Sequence, residues 1–245
     1  METKRLNKAI SETGYCSRRA ADKIIEEGRV RVNGKSPELG TKVTANDTIS
    51  VNGTVITKDV ENVYLAFNKP VGITCTTELQ IKGNIIDYIN YPERIFPIGR
   101  LDKPSEGLIF MTNDGDIVNK ILRSKNSHEK EYIVSVNKKI TSDFIQKMGN
   151  GIPVLDTITD KCKVKTINDT TFNIILTQGL NRQIRRMCNY LGYEVQTLKR
   201  VRIMNISLGN LKVGDHRSFT ESELKDLLTL IEGSSKIGRA SCRER

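Results

Sequence analysis

The chain has 245 residues, 37% of them hydrophobic, and a formal net charge of +10 with a pI near 9.4. No run of about 18 apolar residues occurs, which excludes a transmembrane helix, and the opening METKRLNKAI lacks the apolar stretch of a secretory signal. A cytoplasmic protein with no membrane association is expected, in one large domain or two of ordinary size.

Cys16, Cys75, Cys162, Cys188 and Cys242 form no CxxC spacing, and His128 and His216 stand far apart. Zinc-ligand and His-metal classes are therefore set aside, and reduced thiols are expected. The basic balance favours a polyanionic partner, nucleic acid being the obvious one. The charge gathers in two zones: nine Lys or Arg against four acids over residues 4–35, and eight against two over residues 178–217. Two such zones suit a surface that follows a phosphate backbone.

In chain order, Leu6, Ala9 and Ile10 fall at helical spacing and Gly14 ends that helix. Ser17 is placed to cap a second helix that buries Ala20, Ala21, Ile24 and Ile25 and stops at Gly28. VRVNGKSP and DTISVNG then each read as a short strand running into an Asn-Gly turn. Residues 1–60 form a small module ending in a polar linker over 54–62, TVITKDVEN. The module resembles the S4 RNA-binding domain in Arg5-Leu6, in Ser17-Arg18-Arg19-Ala20 and in GRVRVNG at 28–34. That resemblance implies an RNA-binding face on the two helices, with Arg5, Lys8, Arg18, Arg19 and Lys23 as its cations, while the aliphatics point inward.

From residue 61 the texture changes. VYLAFNKPVGITCT reads as strand, turn, strand; LIFMT, KEYIVSV, FNIILT and RIMNISLGNL are further strands. Helices are expected in ITSDFIQKMGNG, with Ile140, Phe144, Ile145 and Met148 on one face, and in NRQIRRMCNYLGY. The second is expected to place Arg182, Arg185 and Arg186 opposite Ile184, Met187, Cys188 and Leu191. Many strands with few helices predict an α+β domain over 61–232, built on a mixed, mostly antiparallel sheet with flanking helices. Residues 233–245 read as a disordered tail. Its last nine residues, IGRASCRER, look like a reading frame of a sequencing adapter, and without them the net charge falls nearer +8.

The stretch GRLDKPSEGLIFMTNDG, residues 99–115, allows two readings. Asp, Lys, Pro, Ser and Gly are turn formers, so it is a turn leading into a strand; or Asp102 is a reacting group presented on a loop by a rigid scaffold. Other chemistries fit poorly. Glycoside hydrolysis needs two carboxylates spanning one bond, and Pro104 lies between Asp102 and Glu106. No GxxxxGK[ST] loop occurs, and no Ser or Cys has a convincing His and Asp partner.

GRLDKPSEGLIFMTNDGD, EKEYIVSV and GLNRQIRRMCNYLGYEVQTLKRVRI together resemble the RsuA/RluB/RluE/RluF family of pseudouridine synthases, with RQIRRMC most like the RluF branch. The resemblance spans residues 2–232. It implies isomerisation of a uridine to pseudouridine in RNA, with no cofactor and no metal. Large-subunit rRNA is the favoured substrate, a tRNA anticodon stem-loop is a second one, and the enzyme is monomeric. It implies Asp102, Tyr132 and Arg185 as catalytic residues, Arg185 being the basic partner of Asp102. It also implies Arg100, Leu198, Lys130 and Arg182 at the substrate, Arg100 filling the space of a flipped-out base. Period-two geometry lets Leu101 face the core while Arg100 and Asp102 face the site. A non-catalytic S4-type RNA-binding or ribosome-assembly factor is the alternative; a nucleosidase lacks a second carboxylate to activate water.

Overall fold

The computed structural model describes residues 3–59, 61–122 and 127–232, and the chain divides into two compact units. The tail read at 233–245 lies outside the described residues. No helix among the described residues is long and apolar enough to cross a membrane.

The smaller unit comprises Met1–Val63 with the short segments Tyr91–Ile95 and Asn113–Gly115. It runs β1 (Lys4–Arg5), α1 (Leu6–Glu12), α2 (Arg18–Glu26), β2 (Val30–Val32), β3 (Lys42–Val43), β4 (Ile49–Val51) and β5 (Thr54–Val55). The Ser17 hydroxyl accepts the Ala20 amide at 3.1 Å, satisfying one of the orphan donors at the start of α2. Leu6, Ile10, Ala21, Ile24 and Ile25 from the helices meet Val30, Val43 and Val51 in one core, with Ala20 only partly buried. Asn33-Gly34 and Asn52-Gly53 both sit at positive φ, 51° and 79°, then 51° and 83°. Those are the angles of a type I′ turn, whose twist matches the strands it joins. The second turn brings β5 back antiparallel onto β4, so Thr54 and Val55 are strand rather than linker. The pairing of β1 with β3 involves two residues on each side, too few to leave a period in the sequence.

The larger unit carries β6 (Tyr64–Lys69), α3 (Ile85–Ile89), β7 (Phe96–Ile98), β8 (Glu106–Thr112), α4 (Asp116–Leu122), β9 (Lys130–Val136), α5 (Ser142–Asn150), β10 (Pro153–Val154), β11 (Thr157–Ile158), β12 (Lys163–Asn168), β13 (Thr171–Leu176), α6 (Gln183–Tyr190), β14 (Val195–Ile203), β15 (Ile206–Ser207), β16 (His216–Ser218) and α7 (Glu221–Glu232). Nine strands form one mixed sheet in the order β12-β13-β9-β14-β8-β6-β16, with β15 beside β14 and β7 beside β8. All its pairings are antiparallel except β8 with β14, where Glu106 lies opposite Lys199 and Gly107 opposite Arg200. This is the α+β, mixed and mostly antiparallel sheet that the strand-rich sequence predicts.

Two cores cover the sheet. Phe144 and Met148 of α5 and Ile184, Met187 and Cys188 of α6 pack with Val134, Phe172 and Ile174 of β9 and β13. Ile117 and Ile121 of α4 and Leu227 and Ile231 of α7 pack with Leu108 and Phe110 of β8. Leu108, Ile109, Phe110 and Met111 are all buried, as befits a central strand covered on both faces. The second strand expected in VYLAFNKPVGITCT is a loop, held by one bridge between Thr74 and Asn84. Gly72 at φ 91° turns the chain there, and Gly72 donates to the Lys103 carbonyl at 2.8 Å instead of to a ladder.

Candidate active site

Asp102 lies on the connection between β7 and β8. Gly99 opens that connection at φ 78°, and a Cβ there would come within 2.9 Å of the Leu122 side chain. Leu101 is buried, its amide donating to the Cys75 sulfur at 3.4 Å, while Arg100 is exposed and Asp102 half-buried. The alternation anticipated for Arg-Leu-Asp is therefore present. A turn follows, closed by the Ser105 amide on the Asp102 carbonyl at 2.9 Å.

Both flanks of this turn are braced. Lys69, fully buried at the end of β6, donates to the carbonyls of Pro70 and Ile73 at 2.7 and 2.9 Å. That ties down the loop whose Gly72 amide holds Lys103. Burial pushes the Lys69 ammonium below its ordinary pKa, and Cys75, Asp102 and Glu106 oppose the shift. On the other flank, Arg185 from the first turn of α6 donates through Nη2 to the Pro104 carbonyl and the Ser105 hydroxyl, each at 3.1 Å.

The carboxylate itself meets Arg182, whose Nη1 lies 3.7 Å from Asp102 Oδ2. Arg185, expected as the basic partner of Asp102, feels the charge of that carboxylate but makes no hydrogen bond or ion pair with it among the described residues. The placement of Arg182 corrects the single cationic face proposed for Arg182, Arg185 and Arg186. Arg182 takes a left-handed backbone, φ 50°, at the N-cap, and the helix begins only at Gln183. A residue with that backbone stands off the helical face. Arg186 turns back to the Asn181 carbonyl at 3.0 Å, and Leu191, the C-cap, packs with Ile184, Met187 and Cys188 against the core as expected. Gln183 is buried, accepting the Leu180 amide at 3.0 Å and donating to Gln178 at 3.1 Å, so it stitches the Gly-Leu-Asn entry to the helix.

Opposite these groups stand β9 and β14. Tyr132 lies across from Arg200 in the ladder, and Lys130 across from Ile203. Lys130 is 9% exposed and Leu198 is 6% exposed. Burial, and then the charge of Arg200, bring Lys130 down to a pKa of about 8. One cleft of about 470 Å³ is lined by Arg100, Asp102, Lys130, Tyr132, Arg182, Arg185 and Leu198, together with Ser105 and Arg200. That is within the ~300–1,000 Å³ range of small-molecule sites. All seven residues predicted for chemistry or substrate thus converge on one cleft.

Lys69, Ser105 and Arg200 were not anticipated. Arg200 had a signal: with Leu198 it falls on one side of a strand by the period of two, so an arginine occupies an inward position. Lys69 had none, because a Lys-Pro pair before a glycine reads as a surface turn.

In the smaller unit Arg5, Arg18, Arg19 and Lys23 are exposed. Lys8 is less so, its ammonium 3.4 Å from Glu12.

Comparison with known proteins agrees with this geometry. The family model for RNA pseudouridylate synthases matches residues 63–190, and that for the S4 domain matches residues 4–49. The chain is 55% identical over 243 residues to the dual-specificity RNA pseudouridine synthase RluF of Salmonella typhi, covering 98% of this chain and 84% of that protein. It is 37% identical to the ribosomal large subunit pseudouridine synthase B of Bacillus subtilis, covering 93% and 97%. A crystal structure of a pseudouridylate synthase superposes with a TM-score of 0.68 at 28% identity, over 91% of this chain and 99% of that one. An aspartate loop braced from both sides, in a cleft of about 470 Å³, sits within sequence that these relatives match over nearly the whole of this chain. The chain belongs to the RNA pseudouridine synthase family and joins an S4 domain to the synthase domain.

Proposed function

We propose that this enzyme isomerises a specific uridine of large-subunit ribosomal RNA, with a tRNA anticodon stem-loop as second substrate, and that Asp102 is the carboxylate that acts on the nucleotide. Support for the substrate comes from the relatives, one named for the large ribosomal subunit and one for dual specificity. The observation that carries the assignment of Asp102 is its carboxylate, half-buried on a braced turn, with Arg182 at 3.7 Å. An adjacent cation attracts the carboxylate and favours one orientation of it on the turn.

Tyr132 packs against the target base and Leu198 walls it. Arg100, exposed beside Asp102, enters the helix when the base leaves it. Arg185 acts as a positioning residue, by holding the turn on which Asp102 rides. Lys130 and Arg182 contact the substrate. Arg5, Lys8, Arg18, Arg19 and Lys23 contact phosphates, with residues 1–60 as the RNA-binding module and 61–232 as the catalytic domain. The reaction conserves atoms and oxidation state, so it calls for no redox cofactor or group donor. The enzyme works as a monomer in the cytoplasm. The non-catalytic reading is not favoured, because the residues a synthase needs line one cleft.

The test is to map pseudouridines in rRNA and tRNA of a strain lacking the gene, complemented with wild type or Asp102→Asn. The sites should vanish in the deletion and return with wild type alone. In vitro, Asp102→Asn should slow turnover by at least about 10³-fold with RNA affinity nearly unchanged; turnover near wild type would refute the assignment.

A further inference from the structure

Two of the cleft's cations have clear work in the structure: Arg182 faces the Asp102 carboxylate and Arg185 holds the turn after it. Lys130 and Arg200 bond neither the Asp102 carboxylate nor the turn after it. Arg200 is 4% exposed; its Nε donates to the Leu108 carbonyl at 2.6 Å. Its Nη2 is buried and finds no hydrogen-bond partner among the described residues. Lys130 has the His128 carbonyl at 3.2 Å. Neither has a carboxylate in ion-pair range among the described residues. Burying a cation without an anion is costly, and here two share one wall and raise each other's cost. Both line the cleft that holds Asp102 and Tyr132.

The reaction makes an anion in that cleft. When the N1–C1′ bond breaks, its electron pair stays with the base. Uracil is released as a monoanion, its charge spread over N1, O2 and O4. On the sugar, either the Asp102 carboxylate bonds to C1′ or the C2′ proton passes to it. C5 then gives an electron pair to C1′, while Asp102 leaves that carbon or returns the C2′ proton. The C5 proton departs to a base and N1 takes one up, so the sum is unchanged. Between these steps the ring turns about its N3–C6 axis, which exchanges N1 with C5 and O2 with O4. The geometry points to Arg200, together with Lys130, as the cationic pair that holds the carbonyl oxygens of the detached uracil anion through this turn. Because O2 and O4 trade places, the same donors meet an oxygen before and after it. This rests on the reading of the chain as an aspartate-dependent uridine isomerase and assigns the group that retains the free base.

The test compares Arg200→Met, Arg200→Lys and Lys130→Met with wild type in single turnover. Two RNA fragments are used at saturation, carrying uridine or 5-fluorouridine at the mapped site. Fluorine withdraws electron density and stabilises the detached base without help from the protein. Arg200→Met should slow consumption of uridine about 10²–10³-fold and consumption of 5-fluorouridine at least tenfold less. RNA affinity should be retained and Arg200→Lys should rescue in part. Lys130→Met should show the same asymmetry, and it carries the comparison if Arg200→Met does not fold. Equal loss on both RNAs, or no loss on either, would overturn the assignment of the pair alone. A wild-type enzyme that forms no pseudouridine would overturn the underlying reading and this one with it.

Discussion

The smaller and larger units use the same cationic residues in opposite settings. Arg18, Arg19 and Lys23 of α2 stand in solvent, and an ion pair such as Lys23 with Glu27 at 4.0 Å is worth only ~0–1 kcal/mol. Lys69, Lys130 and Arg200 are buried under or along the sheet, tied mainly to main-chain carbonyls. Exposed cations are cheap to keep and act additively, each displacing counterions from a phosphate. Buried ones are costly and act at one place. A high net charge therefore points to a polyanion, yet Lys130 and Arg200, which line the cleft beside Asp102, contribute almost nothing to the visible surface.

After Asp102 and the Lys130–Arg200 pair themselves, breaking the brace around Asp102 should have the largest effect on this contrast. Arg185→Met removes the donors to Pro104 and Ser105 and should cut the chemical step about 10²-fold, the scale of a small misplacement, with affinity nearly kept. Lys should rescue only in part, since it lacks the planar fork. Single-turnover kinetics would decide; an unchanged chemical step with a shallower salt dependence would make Arg185 a phosphate ligand instead.

Gly107→Ala attacks the junction of β8 and β14. A Cβ there would sit 2.3 Å from the Arg200 carbonyl oxygen at φ 111°, so the strands must part. We expect a loss of about 1–3 kcal/mol, which at about 2–4 °C per kcal/mol is readable by thermal melting. A melting temperature equal to wild type would show that the parallel pairing is not held so tightly.

One buried cation also predicts a pH dependence. Lys130 has its pKa lowered to about 8, so it is charged below that pH and neutral above it. As pH rises through 8, kcat/KM should fall by up to about tenfold per unit, reporting the free enzyme. In Lys130→Arg the fall should disappear, because a guanidinium stays charged. Persistence of the same limb in that variant would assign it to another group.

The smallest effect on rate belongs to the exposed helix. Arg18→Ala with Arg19→Ala should leave the saturated rate alone and make the slope of log affinity against log salt shallower by about two, one for each lost contact. A changed rate with an unchanged slope would reverse the comparison.

The sequence by itself determined the elements whose signals are local. Ser17 caps α2, Asn33-Gly34 and Asn52-Gly53 make hairpins, and Leu6, Ala9 and Ile10 mark a buried stripe. Those residues act through their own backbone or a neighbour three or four positions away. It also pointed to seven of the residues that line the cleft, through motifs resembling a known family. Tertiary structure alone decided which arginine meets the carboxylate: the left-handed Arg182 precedes the helix, and Arg185 reaches a turn some eighty residues earlier in the chain. It decided the fate of Lys69 and Arg200 as well. Whether a lysine or an arginine is solvated or buried depends on strands β6, β8, β9 and β14 brought together from across the chain, and desolvation, which governs its use, has no period in the sequence.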